Sequence, residues 1–493
     1  MAHAHPTSQI PPVLDREGFT YDLLHRFPFD PTDGQKHLLE VAARFVTSDY
    51  PNCTLVVRGY AGTGKTTCMG SLVQTLGKHR VNTVLLAPTG RAAKVFSRHA
   101  GKAAYTIHKR IYVQQQTGSG FRVQVAHNPF TNAVFIVDEA SMIGSGGLTE
   151  GFGSRDVLED LLMYVFSGQG CRLILVGDGA QLPPVGSPHS PGLDLEYLTG
   201  MYPITAARVE LTEVRRQQLT SGILYNATML RDQLLQGAKG FPQLDAGPFD
   251  DVIRIDGTEL QDALQDEVDK EGIENVMVIT RSNKRANQFN QQIRARLLWH
   301  EEELNGGDRL MVVRNNYTWL ENDQLKRASF IANGDTVEVQ RIIRYEEFHG
   351  LRYAWVEVTF EDYPDMPGCE LCVLLDTLTL DSANLPMARM QQLYDQVALG
   401  YLDEGSRRKI AEAVKKDPYY SALQVKYGYA VTCHKSQGGQ WPVVFVDAGY
   451  LNEDHLDAEY YRWLYTAVTR AESRLYLVNF PEAMYQDEGF ADI

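Results

Sequence analysis

Short apolar runs recur along the chain, each followed by a stretch whose apolar residues fall at helical spacing. CTLVVR (53–58), TVLLAP (83–88), AVFIVDEAS (133–141) and RLILVGD (172–178) read as strands. Between them TCMGSLVQTLGKHR, GRAAKVFSRHA and VLEDLLMYVF predict helices. This alternation predicts an α/β fold, a parallel sheet wrapped by helices. The rhythm returns in NVMVITRSN (275–283), KRANQFNQQIRARLL, WPVVFVDAG (441–449) and SRLYLVNF (473–480), so a second sheet domain is expected.

Between about 305 and 424 the texture changes. DRLMVVRNNY, DTVEVQRIIRY, YAWVEVTF and ELCVLLDTL are short β-type runs separated by turns, which predict a small barrel inserted into the second sheet domain. Within the insert, a charged helical stretch at 384–418 reads as an arm projecting from the barrel. Earlier, two alternating stretches flank TGSG within 111–132, the pattern of a β-hairpin. The expected boundaries are an N-terminal extension at 1–30, a first sheet domain at 31–205 with the hairpin at 109–132, a second at 206–304 and 425–493, and the inserted barrel at 305–424.

A chain of 493 residues is too long for one core, and its 44% hydrophobic content suits ordinary globular packing. No apolar run reaches the roughly 18 residues of a membrane span. The start, MAHAHPTSQIPPVLD, lacks the segments of a signal peptide, so a cytoplasmic protein is expected. The six cysteines are scattered in apolar runs, as reduced core thiols would be. CELC (369–372) has ligand spacing but no second pair, and it reads as strand rather than metal site.

A net charge of −15 argues against a polyanionic partner, but the distribution matters more than the sum. From Lys78 to Arg110 the chain holds Lys78, Arg80, Arg91, Lys94, Arg98, Lys102, Lys109 and Arg110 without an acidic residue. Arg281, Lys284, Arg285, Arg294 and Arg296 make a second basic stretch. A basic track on an acidic body is compatible with a polynucleotide groove.

The run GYAGTGKTT (59–67) lies between a predicted strand and a predicted helix. There it matches the phosphate-binding loop: Gly59, Ala61, Gly62, Thr63, Gly64, Lys65, Thr66 and Thr67 would cradle ATP. Lys65 would reach the β- and γ-phosphates, and the Thr66 hydroxyl would ligate Mg2+. Asp138 and Glu139 end the strand some 70 residues on, where Asp138 would hold Mg2+ through water and Glu139 would polarise the attacking water. Gln181, in GDGAQLPPVG, lies just beyond another strand end, where it can sense a γ-phosphate.

In order, the chain carries PTDGQKHLLE, GYAGTGKTT, APTGRAAK, YTIHKR, DEASM, GDGAQLPPVG, LTEVRRQ, YAVTCHKSQGGQW and YTAVTRA. This series, spanning 31 to 471, resembles a superfamily 1B DNA helicase of the RecD/Dda-like family. The resemblance implies two RecA-like motor domains with ATP between them, an SH3-like barrel, and single-stranded DNA crossing both motors, moved 5′ to 3′. It implies that Gln35 reads the adenine edge, that Arg216 and Arg470 are arginine fingers, and that Gly438 belongs to the nucleotide site. Arg215 adjoins Arg216, and the choice between them rests on the family pattern.

For DNA the family pattern points to Pro88, Thr89, Thr106, His108, Asn283, Asn287, Thr432, His434, Lys435 and Ser436. Small hydroxyls and backbone N–H groups suit phosphate contacts that ignore sequence. Phe96, Tyr105, Tyr317 and Trp319 are candidate stacking residues, with core burial an equal alternative. The hairpin would be the pin that splits the duplex, acting through a flank because its tip is TGSG, and the arm would brace it. The glycine-rich IGSGGLTEGFGSRD, within 142–156, reads as a surface loop.

Expected partners are single-stranded DNA and tailed or forked duplexes, with single-strand-binding or other replication and repair proteins as further candidates, and a monomer is expected. Replication, recombination and repair stay open as settings. Two other readings compete: a motor subunit of a recombination nuclease, and an ATP-binding switch that does not translocate. The intact set of Lys65, Asp138, Glu139, Gln181, Arg216 and Arg470 speaks against the switch.

Overall fold

The computed structural model describes residues 15–117, 120–144, 156–214, 220–247, 249–316, 318–320, 331–361, 366–451 and 456–485. In chain order the first strands are β1 (Cys53–Gly59), β2 (Thr83–Ala87) and β3 (Ala104–Thr106). Next come β4 (Tyr112–Thr117) and β5 (Gly120–Val125), then β6 (Val134–Val137), β7 (Arg172–Gly177) and β8 (Thr205–Leu211). Six of these form one sheet in the order β3-β2-β6-β7-β1-β8, every pairing parallel. The unbroken apolar runs are explained by burial on both faces. Leu55, Val57, Ile136 and Ile174 pack into one core, while Val56, Phe135, Val137 and Leu175 pack into the core on the opposite face.

Three boundaries differ from expectation, one of them the barrel's end, since its last strand, Leu423–Tyr427, runs past 424. β8 pairs with β1 at the sheet edge, so the first domain runs past 205. TAARVEL is an edge strand with few buried residues, and its alternation carries little hydrophobic signal. The helix Arg16–Arg26 buries Phe19 and Leu23 in the first domain's core, and Asp22 pairs with Lys78 and His79. That domain therefore begins before residue 31.

β4 and β5 pair antiparallel as the expected hairpin, its tip outside the described residues. So are residues 145–155 of the glycine-rich stretch, and nothing is described of the side chains at 114–123 on the hairpin flanks.

The second domain opens with β9 (Val252–Ile255) and β10 (Val276–Thr280). β11 (Arg309–Val312), β12 (Thr336–Phe348), β13 (Leu351–Phe360), β14 (Cys369–Leu374) and β15 (Leu423–Tyr427) then close a barrel. β16 (Ala430–Thr432), β17 (Trp441–Asp447) and β18 (Ala471–Val478) return to the sheet, ordered β16-β10-β17-β18-β9 and parallel throughout. Barrel residues Val337, Val356 and Val425 share one core with Val278 and Phe445 of the sheet, so the insert is welded to its host.

Cys369 and Cys372 stand three apart on β14. Strand alternation turns them to opposite faces, where one ion cannot take both thiols. The arm is two helices, Met387–Leu399 and Arg407–Lys416, whose Met390, Leu393, Val397 and Val414 cover Leu351, Tyr353 and Leu374 on the barrel. The second arm helix also lies against β5. Among the described residues no helix is long and apolar enough to cross a membrane.

Candidate functional site: a two-domain cleft and an adjoining groove

β1 delivers the chain into the glycine loop, which turns into the helix Lys65–Lys78. Gly62 and Gly64 have φ of +74° and +83°, the left-handed region that favours glycine. A Cβ on Gly59 would meet Lys65 Cγ and Thr63 Oγ1, both at 2.8 Å. Lys65 Nζ donates to the carbonyls of Gly59 at 2.6 Å and Tyr60 at 2.9 Å, curled over the loop it would serve. Thr63 is buried with its hydroxyl donating to Tyr60 O at 2.8 Å, whereas Thr66 and Thr67 remain partly exposed in the first helical turn.

Gln35 makes contacts that the motif does not announce. Its Nε2 donates to Thr63 O at 2.9 Å and its Oε1 accepts from Thr32 N–H at 3.0 Å, within a helix-capping box. Each end of the amide thus holds one bond that braces the phosphate loop, and one N–H and one lone pair remain for a further partner.

β6 is followed directly by Asp138 and Glu139. Glu139 has φ +52° without being glycine, a strained backbone of the kind that collects at functional sites. Burial pushes the Glu139 carboxyl up to about 7; the Arg470 cation draws it back, and Asp138 and Asp178 push it further up. Burial also raises Asp138, against the N–H of Glu139 and the charge of Lys65. Ser141 Oγ, two residues past Glu139, and Gln181 Oε1, in the loop after β7, are buried with no hydrogen-bond partner among the described residues. Buried polar atoms rarely go unpaired unless something absent completes them.

Arg470 lies on the second domain, just beyond the helix Ala458–Val468. Its guanidinium donates to Thr466 O at 3.0 Å, Gly439 O at 3.2 Å and Thr469 Oγ1 at 3.1 Å, which fixes a buried cation whose field reaches Glu139. Arg215 and Arg216 lie outside the described residues.

The helix Ala458–Val468 also grips the loop after β7, a contact the motif reading missed. Tyr465 Oη donates to Asp178 Oδ2 at 2.6 Å, Arg462 donates to Gly179 O, and Thr466 Oγ1 accepts from Leu182 N–H at 2.8 Å. Gln437 Nε2 donates to Leu182 O at 2.8 Å. The available signal was spacing: positions 462, 465 and 466 share one helical face beside Arg470. At Gly438 a Cβ would meet Ala92 Cβ at 2.7 Å and Thr89 Oγ1 at 3.1 Å, so the glycine permits close approach to the helix Gly90–Ala100.

That helix borders a groove. A cavity of about 410 Å³ is lined from the first domain by Pro88, Thr89, Thr106 and His108, and from the second by His434 and Lys435. The barrel adds Arg314, Asn315, Asn333 and Gly334, from the RNNY and ANGD turns. Lys435 Nζ donates to Asn333 Oδ1 at 2.6 Å, and burial lowers the His108 imidazole to about 4, keeping it neutral. Thr89 and Thr106 cap helices, accepting from Ala92 and Lys109 N–H, both at 3.2 Å.

An adjoining cavity of about 1220 Å³ has Arg91, Lys94, Arg98 and Lys109 on one wall, four members of the basic track. Arg91 lies 3.9 Å from the ring centre of Trp441, a cation–π contact between the two sheet domains.

Other DNA candidates fall elsewhere. Ser436 is fully buried and donates to Cys433 O at 2.8 Å. Asn287 is buried and donates to the carbonyls of Thr379 at 3.1 Å and Leu380 at 2.9 Å, tying its helix to the barrel. Asn283 and Thr432 open the helices Asn283–Arg296 and Cys433–Ser436 and line neither cavity. In the second basic stretch, Arg285 pairs with Asp447 and Arg294 with Asp308, so these cations are structural. Phe96 is core, and Trp319 packs on Trp355 and donates to Ser421 O at 2.8 Å. Tyr105 lines the larger cavity and is 37% exposed, while Tyr317 lies outside the described residues.

Comparison with known proteins meets this geometry at both ends. A profile of the AAA domain family matches residues 32–239, and one of the UvrD-like helicase C-terminal domain matches 427–478. The chain is 32% identical over 203 residues to the ATP-dependent RecD2 DNA helicase of Deinococcus radiodurans, covering 40% of this chain and 24% of that one. It is 29% identical over 192 residues to the ATP-dependent DNA helicase dda of Enterobacteria phage T4, covering 38% and 40%. The chain thus spans less than half the length of either helicase. An uncharacterised mimivirus protein, R530, is 22% identical over 479 residues, covering 85% of this chain and 93% of that one. Among solved structures, the Bacteroides Pif1 helicase in complex with ADP-AlF3 and ssDNA aligns over 93% of this chain and 94% of its own, at 15% identity and a TM-score of 0.46. In its motif series and over both matched regions the chain is similar to helicases of the RecD/Dda-like kind in superfamily 1B.

Proposed function

We propose that this protein is an ATP-dependent DNA helicase that moves 5′ to 3′ on single-stranded DNA and separates the duplex ahead of it. One observation carries the reading: where the sheet domains meet, through Ala61 N–H donating to Tyr465 Oη, Glu139 of one domain feels the charges of Lys65 beside it and of Arg470 from the other. The same two domains, with the barrel, line the groove of Thr89, His108 and Lys435. Matched relatives are named as DNA helicases, and the direction of travel follows the family pattern.

Lys65 leaves the loop carbonyls to hold the β- and γ-phosphates. Glu139, as carboxylate, polarises the attacking water, and the unpaired Gln181 Oε1 accepts a hydrogen from it. Arg470, held by its own domain, stabilises charge developing on the γ-phosphoryl oxygens when the cleft is closed, and Arg216 would join it. The Thr66 hydroxyl and Asp138 carboxylate are hard oxygen donors that suit Mg2+, which when bound would neutralise charge on the β- and γ-oxygens. Because the arginine comes from the second domain, hydrolysis is tied to domain position.

The test is strand displacement on matched 5′-tailed, 3′-tailed and blunt duplexes, comparing wild type with Lys65→Ala at one salt concentration. Unwinding of the 5′-tailed duplex alone, lost in Lys65→Ala, is expected. Unwinding from a 3′ tail would refute the direction. DNA-stimulated ATP hydrolysis without displacement would favour a motor subunit of a nuclease complex.

A further inference from the structure

Tyr465 stands where the two sheet domains meet, and its hydroxyl makes two contacts. It accepts from Ala61 N–H of the glycine loop at 2.9 Å and donates to Asp178 Oδ2 at 2.6 Å. That same carboxylate oxygen lies 4.0 Å from Lys65 Nζ. The other Asp178 oxygen accepts from Ala180 N–H at 2.9 Å, and the residue is 1% exposed. A carboxylate so buried must replace a lost donor. Arg462, the other cation that feels Asp178, sits on the same helix as Tyr465 and would leave with it. Lys65 belongs to the same domain as Asp178 and stays.

We infer that Tyr465 is a positioning residue of the nucleotide site, whose hydroxyl keeps Asp178 from capturing Lys65 while the two domains are together. When the helix Ala458–Val468 withdraws, Asp178 Oδ2 loses its donor and closes on Lys65, which now stands at the 4.0 Å outer limit of an ion pair, taking the lysine out of service for phosphate. Phosphate capture is then coupled to domain closure by one charge that changes partner. The inference rests on the reading of 59–67 as a phosphate loop and adds a control that this loop alone lacks.

The test is the equilibrium affinity for adenylyl imidodiphosphate with Mg2+, measured by calorimetry without DNA. Four proteins are compared: wild type, Tyr465→Phe, Asp178→Asn and the double variant. Tyr465→Phe keeps the ring in place and should weaken binding by about tenfold, the scale of one hydrogen bond to a charged group. Asp178→Asn removes the competing charge, so the double variant should bind like Asp178→Asn, within about twofold. Thr466→Val, which breaks the neighbouring bond to Leu182 N–H, should have the same effect in both backgrounds. Equal losses from Tyr465→Phe with and without Asp178 would reduce Tyr465 to a packing role and overturn the inference. So would unchanged binding in Tyr465→Phe. If wild type fails to bind the analogue, the phosphate-loop reading falls first and the inference with it.

Discussion

Gly438→Ala separates two places at which one glycine could act. Gly438 has φ +74°, and a Cβ would sit 2.7 Å from Ala92 Cβ and 3.1 Å from Thr89 Oγ1, across the boundary between the sheet domains. Two costs follow, and they land on different observables. The left-handed backbone costs an alanine about 1–2 kcal/mol whether the domains are open or closed, so it lowers thermal stability. The overlap exists only when the domains are together.

Ala92 is a helical residue whose methyl cannot swing aside, so the helix Gly90–Ala100 or the 437–439 segment must give way. Overpacking of this kind costs about 1–3 kcal/mol. Charged against the closed state, that corresponds to roughly 5- to 150-fold weaker binding of any ligand that needs closure. Thr89 lines the groove, so the ligand expected to suffer is single-stranded DNA. The assay is fluorescence anisotropy of a labelled oligothymidylate, beside calorimetric binding of a non-hydrolysable ATP analogue without DNA. DNA affinity should fall by that factor, and analogue affinity, which is tied to closure through Tyr465, should fall by no more than DNA affinity does. Lost analogue affinity with intact DNA binding would refute the reasoning and return Gly438 to the nucleotide site.

Three further outcomes are expected. Glu139 must be ionised to polarise water, and its carboxyl lies near 7, so kcat/KM for ATP should rise nearly tenfold from pH 6 to pH 8. Glu139→Gln should lose that rise, and Arg470→Gln, which removes a charge holding Glu139 down, should move the inflection to higher pH; a wild-type profile no steeper than that of Glu139→Gln would sink the assignment. Lys435→Ala should weaken DNA binding and flatten the dependence of log Kd on log salt by about one phosphate's worth, whereas an unchanged slope would place Lys435 off the DNA. Val414 is fully buried between arm and barrel, so Val414→Asp should unseat the helix that lies against β5. Base pairs opened per ATP should then fall several-fold with DNA-stimulated hydrolysis retained, and an unchanged ratio would end the idea that the arm braces the hairpin.

Much of the fold was legible because parallel strands covered on both faces need unbroken apolar runs, which β1, β2, β6, β7, β10 and β17 supply. Edge strand β8 went unread, and the domain boundary fell at its start, because half-exposed TAARVEL carries no such run. Residues set in a local motif, such as Lys65 and the Asp138–Glu139 pair, could be placed at strand and helix ends directly. Residues whose meaning depends on a partner far along the chain could not. Nothing near Gln35 says that its amide will bond to Thr63, and nothing near Ser436 says that its hydroxyl will turn inward to Cys433. Motif membership marks these segments but not the direction of each side chain. The basic stretch at 281–296 shows the same limit, since Asp447 and Asp308 were invisible partners.

The segment from Asp178 to Val185 bears on how the two sites communicate. At one end Asp178 faces Lys65 and Tyr465; at the other Pro184 and Val185 line the groove, with Val185 84% exposed. Between them, Gly179 O, Gln181 O and Leu182 are held by Arg462, Thr466 and Gln437 of the second domain. A strand of the first domain therefore presents a loop whose hydrogen bonds largely belong to the second. When the domains separate, those bonds break together, and the phosphate end and the groove end of the same short segment lose their positions at once. Coupling needs an element that both sites bias, not a long path. With eight residues touching both sites, ligand-driven closure at either one must alter the other, and reciprocity of binding free energies follows. Single-stranded DNA should therefore tighten ATP-analogue binding by the same factor by which the analogue tightens DNA binding. Leu182→Pro, which removes the N–H held by Thr466, should bring both factors toward one together; a loss of one factor with the other intact would exclude this loop as the link.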